Sequence, residues 1–146
     1  MTWVTKKHIK VNRAATAWLI RRFIDSDATI LFVEPEDVAE VQRRDGAKGF
    51  DAPGATYPHQ DPAGRCSFEA LVDDHCADDA TLVALARIVR GADFRDQINL
   101  TPESPGLRAI SDGFPLVARD DQETVEKAAF LYDALYASLQ ARIAGS

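Results

Sequence analysis

Residues 10–25, KVNRAATAWLIRRFID, decide how the rest of the chain is read. Ala15, Trp18, Leu19 and Phe23 fall at i, i+3, i+4 and i+8, the stripe that a helix turns toward a core. Asn12 stands where an N-cap is expected, with Lys10 just ahead of it. On a neighbouring face Arg13, Ala17 and Arg21 recur every fourth residue, and Arg22 lies beside Arg21. Two readings of these cations follow. Arg13, Arg21 and Arg22 can form a solvated face that balances acidic loops while their stems cover apolar surface. Alternatively Lys10, Arg13 and Arg21 form an anion pocket near a helix start, where guanidinium forks meet the oxygens of an oxyanion or carboxylate.

The segments on either side read as strands. TWVT at 2–5 is rich in strand formers, and TILFV at 29–33 is a continuous apolar run that predicts a buried central strand. Pro35 fits the first turn of a second helix over 36–45, which Gly46 closes. Residues 48–50 predict another short strand. The loop 51–64, DAPGATYPHQDPAG, holds three prolines and two glycines, and Thr56-Tyr57 is its one candidate for extended pairing. Beyond it the pattern turns helical: a short helix over 67–72, then a longer one capped by Asp78-Asp79. Leu82, Leu85, Ala86 and Val89 line the inner face of that longer helix, and Gly91 is its expected stop. A short helix at 102–111 and a long one at 122–143 complete the chain, the last with Val125, Ala128, Tyr132, Leu135, Tyr136 and Leu139 at core spacing. The expected fold class is α+β, mostly helical, with a small N-terminal mixed or parallel sheet covered by helices.

With 146 residues, 46% of them hydrophobic, the sequence can bury one substantial core, so residues 1–146 are read as a single domain. A net charge of −6 argues against nonspecific nucleic-acid binding by this chain, because that calls for a basic footprint. No apolar run reaches the roughly 18 residues of a membrane span, and MTWVTKKHIK lacks the apolar core of a secretory signal. The expected location is the cytoplasm, with no membrane partner. Cys66 and Cys76 are too few for a disulfide framework and are read as free thiols or ligands.

Nucleotide-binding loops and the strand-borne serine elbow are absent from the sequence. Soft and borderline ligands gather instead between 59 and 76. His59, Cys66 and Glu69 form a candidate set for a divalent transition metal such as zinc, iron or manganese, since Cys66 and Glu69 share one helical turn. His75 and Asp93 are additional candidates. The competing reading is a buried thiol among polar loop residues. Cys66 is also a candidate catalytic thiol, preceded by Arg65 at a helix start that would favour the thiolate, or else a small apolar filler. The long last helix offers a homodimer contact, with Tyr132 and Tyr136 as anchors.

Several motifs taken together resemble one family. The 10–25 run, L-F-V at 31–33, F-D-x-P-G at 50–54, R-C-S-F-E at 65–69, L-A-R-I-V-R-G-A-D at 85–93, P-G-L-R-A-I at 105–110 and Y-D-A-L-Y at 132–136 are similar to the C-terminal domain of the ChrB-type chromate resistance family. The resemblance implies a sensory or accessory part in bacterial chromate resistance, with a small anion such as chromate or sulfate as partner. The alternative it leaves open is a metal- or thiol-dependent oxidoreductase acting on chromate or on oxidative by-products.

Overall fold

A computed structural model describes residues 1–145. Three parallel strands form the sheet in the order β2-β1-β3: β1 is Thr2–Lys6, β2 is Thr29–Val33 and β3 is Lys48–Gly49. The run at 29–33 is thus an edge strand, and Thr2–Lys6 holds the centre. The expectation of a buried central strand at 29–33 fails on both counts, Ile30 alone being buried, because an apolar run marks packing against helices and not the number of strand neighbours. Successive side chains point to opposite faces. Trp3, Ile30 and Phe32 therefore join the main core, whereas Val4, Leu31 and Val33 pack with Val38 and Val41 in a smaller cluster.

The smaller cluster lies under α2, Val38–Asp45, entered through a 3-10 turn at Pro35–Asp37 and ended by Gly46 in the left-handed conformation at φ 65°. The main core is built by α1 (Val11–Leu19), α3 (Ser67–His75), α4 (Ala80–Asp93), α5 (Ser104–Asp112) and α7 (Asp121–Ala144), with a single turn α6 at Phe114–Val117. A small parallel sheet beneath a larger helical body is the α+β architecture that the sequence implies.

Two local expectations are corrected. Asn12 is not the cap of α1; Lys10 is, and it supplies no side-chain bond. Asn12 is the buried second residue of the helix, where its Nδ2 donates to Ser67 Oγ at 2.8 Å and its Oδ1 accepts from Thr16 at 3.1 Å, tying α1 to the start of α3. Gly91 does not stop α4, which runs on to Asp93. Ser104 occupies the space that a Cβ at Gly91 would need, so the glycine permits close approach of α4 and α5. Tyr132 is fully buried and donates to Val11 O at 3.1 Å, and Tyr136 donates to Asp79 at 2.9 Å.

Candidate functional site

The end of β3 carries the chain into the site. Phe50 N bonds to Val4 O at 3.0 Å and Asp51 N to Tyr57 O at 2.8 Å, while Gln42 Oε1 accepts from both Gly49 N and Thr56 N. The irregular loop is therefore pinned at both ends of its first turn. Asp51 adopts φ 51° there, a left-handed conformation that aspartate tolerates better than most residues. The turn directs a carboxylate of 6% exposure back toward α1 and α4.

Three groups gather around that carboxylate, two of them touching it. His59, from the far part of the loop, places Nδ1 2.8 Å from Asp51 Oδ1 and 3.6 Å from Asp93 Oδ2. Asp93 closes α4, and the neighbouring Phe94 packs against the His59 ring edge-to-face at 5.2 Å. Arg13 approaches from α1, with Nε 3.4 Å from Asp51 Oδ2 and its terminal amines donating to the carbonyls of Lys6, Lys7 and His8. Its donors are largely committed to the fold, so Arg13 acts as a clamp that fixes Asp51.

The electrostatics follow from this geometry. Burial, reinforced by the like charge of Asp51, pushes the Asp93 carboxyl up to about 7. Its Oδ2 is buried and has no hydrogen-bond partner. The hydrogen bond to Asp51 raises His59, with the Asp93 charge adding to it against some burial. Ligand atoms of Asp51, His59 and Asp93 all lie within 4.8 Å of one another, the grouping among the described residues that could hold a metal ion. Around zinc at about 2.1 Å per ligand, neighbouring donors of a tetrahedron stand about 3.4 Å apart. The His59–Asp93 separation already suits that spacing, and the shorter His59–Asp51 contact holds a proton that a metal would expel.

Beside this triad lies a polar hollow of about 110 Å³, lined among others by Lys10, Arg13, Asp51, Asp93, Arg108 and Asp112. A larger hollow of about 520 Å³ opens along β2. Asp121 in its wall is already bonded to the amides of His8 and Ile9, each at 3.0 Å, and no cluster of metal ligands forms there among the described residues.

The residues singled out from the sequence are thus partly gathered. Lys10, Arg13 and Asp93 border one hollow, and His59 touches two of its acids. Arg21 stands apart: α-helical geometry ends at Leu19 in a π-helical turn, Ile20–Ile24, and the intervening Ala17 is buried in the core. Eight residues of helix place Arg21 about 12 Å along the axis from Arg13. Cys66 and Glu69 do not join the triad. They form a capping box at the start of α3, the thiol accepting from the Glu69 amide while Glu69 Oε1 accepts from Cys66 N at 3.1 Å. The other Glu69 oxygen faces Arg90 at 3.5 Å. Burial pushes the Cys66 thiol far above its ordinary range, opposite to what a nucleophile needs. His75 is exposed at the far end of α3.

Sequence reading passed over Asp51 and Arg108 as site residues. The signal for Asp51 was its place at the mouth of the irregular loop, in F-D-x-P-G. Arg108 gave none, being one arginine on a short amphipathic helix.

The family described as ChrB, C-terminal domain, matches residues 3–139. Protein ChrB of Cupriavidus metallidurans is 36% identical over 137 residues, which cover 92% of this chain and 39% of that relative. The chain therefore spans about two fifths of the length of the curated relative that it matches. No solved structure matches.

Proposed function

The chain belongs to the ChrB C-terminal domain family, and from that premise we propose a sensory or accessory domain of bacterial chromate resistance. In this reading it works in the cytoplasm, holds a divalent transition metal between Asp51, His59 and Asp93, and accepts a small oxyanion in the adjoining hollow. The observation that carries it is the meeting of two carboxylates and an imidazole at ligand spacing, one carboxylate oxygen being buried without a hydrogen-bond partner. Burying such an oxygen is unfavourable unless a cation or proton meets it.

The donor set is oxygen and imidazole with no thiolate, which suits zinc, iron or manganese rather than a soft ion. Three protein ligands leave coordination positions open, as in sites that bind a further group rather than closed structural ones. No described helix is long and apolar enough to cross a membrane.

Elemental analysis of the purified protein, followed by calorimetric titration of the metal-free form with Zn²⁺ and Mn²⁺, tests the reading. One metal per chain is expected, lost in His59→Ala. Absence of binding at millimolar metal would remove it.

A further inference from the structure

We propose that Lys10 and Arg108 form a subsite for a tetrahedral oxyanion, and that the Asp112 carboxylate is a built-in competitor which such an anion displaces. This deepens the reading above by saying how the anion is held and gated, and its side chains are distinct from the metal triad.

Asp112 ends α5 and reaches between the two cations, Oδ1 3.9 Å from Lys10 Nζ and Oδ2 3.9 Å from Arg108 Nε. Both separations exceed hydrogen-bond length. The side chains of Lys10 and Asp112 are 52% and 49% exposed, so water screens the attraction between them. The contact is therefore a loose one, of the kind a better-matched anion replaces. Arg108 is nevertheless fixed: its Nη1 donates to Ala92 O at 3.0 Å at the end of α4. Its Nη2 has no bonding partner among the described residues. A planar fork with one free amine, beside a half-exposed ammonium, suits oxygens that project from one centre.

Two further features agree. α1 begins at this corner with the positive end of the helix uncapped by a side chain. The hollow, of about 110 Å³, has room for an ion of the size of sulfate or chromate. The opposite wall, Asp51 and Asp93, would repel an anion by itself. Arg13 and His59 offset Asp51, and a dication in the triad would turn that wall attractive.

Sulfate is the redox-inert probe. Its affinity is measured by calorimetry at constant ionic strength, on metal-free and zinc-loaded protein, for the wild type, Asp112→Asn, Asp112→Ala and Arg108→Gln. Circular dichroism checks the fold of each. Both Asp112 variants are expected to bind sulfate about three- to tenfold more tightly, since two weak pairs and one like charge are removed. Arg108→Gln is expected to weaken binding by about tenfold, and planar nitrate to bind several-fold less well than sulfate. Unchanged or weaker sulfate binding in both Asp112 variants, unchanged binding in Arg108→Gln, or equal affinity for nitrate would each overturn the subsite. Zinc stoichiometry, read in the same samples, separates the two ideas. Normal zinc loading without these sulfate effects removes the subsite alone, and the sulfate effects without zinc loading remove the metal centre alone.

Discussion

Asp51 Oδ1 lies 2.8 Å from His59 Nδ1, which joins the entrance of the irregular loop to its middle across eight residues. The same carboxylate turns its second oxygen to Arg13, so one left-handed residue links the loop, α1 and, through His59, the end of α4.

If this junction is the metal centre, the ligands are the triad and not the thiol. Asp51→Asn is expected to weaken Zn²⁺ binding by at least tenfold, because an amide cannot supply the charge or the bidentate acceptor. Cys66→Ala should leave the affinity within about twofold. A competition titration with a chromogenic chelator reads both, and the reverse pattern would move the site to the start of α3.

Arg13 is a structural clamp whose loss leaves an acid behind. Arg13→Gln removes the cation from a pair whose side chains are 13% and 6% exposed and strands three backbone carbonyls. Breaking such a buried pair costs about 3–5 kcal/mol. Urea unfolding of Arg13→Gln and of the double variant Arg13→Gln/Asp51→Asn checks the cause: the second change should recover part of the loss. No recovery would mean that the carbonyl contacts alone matter.

The two thiols should differ in reactivity. Cys66 has no exposed surface and burial holds it protonated, whereas Cys76 is only partly buried at the end of α3. Ellman's reagent at pH 8 is expected to modify Cys76 in the native protein and Cys66 only on unfolding. Rapid modification of both would contradict the capping-box geometry.

Acid should loosen the contact of α1 with α7. Trp18 Nε1 donates to Asp133 Oδ1 at 2.9 Å and Arg22 Nε stands 3.1 Å from the same oxygen. The indole bond first, and Arg22 second, hold the Asp133 carboxyl below the usual range. A depressed folded pKa means the unfolded chain takes up the proton more readily. The stabilisation is therefore complete above an ordinary carboxylate pKa of about 4 and is lost as pH falls through the lower folded value. Asp133 is 46% exposed, so the effect is small. The unfolding midpoint of the wild type should fall more steeply below pH 4 than that of Asp133→Asn, and equal slopes would show that the contact carries no titratable stability.

The order of elements was legible in the sequence because each rests on local rules. The stripe of Ala15, Trp18 and Leu19 marked α1, the β-branched run marked 29–33, and Asp79 caps α4 by accepting from Leu82 N. Gly91 and Asn12 misled because a stop or cap signal is indistinguishable, in one dimension, from a residue chosen for close approach or for a buried hydrogen bond. Cys66 and Glu69 were rightly placed on one turn, yet that spacing served the helix start itself.

By itself the sequence determined the periodicities, and with them the α+β class and the motifs of the ChrB C-terminal family. Only the tertiary structure decided that β1 is the central strand, that Asp51, His59 and Asp93 converge, and that Arg21 stands away from Arg13. The physical reason is range. Helix and strand preferences arise from neighbours within a few residues, whereas the site is assembled from a strand exit, a loop and a helix end whose meeting depends on how the whole core packs.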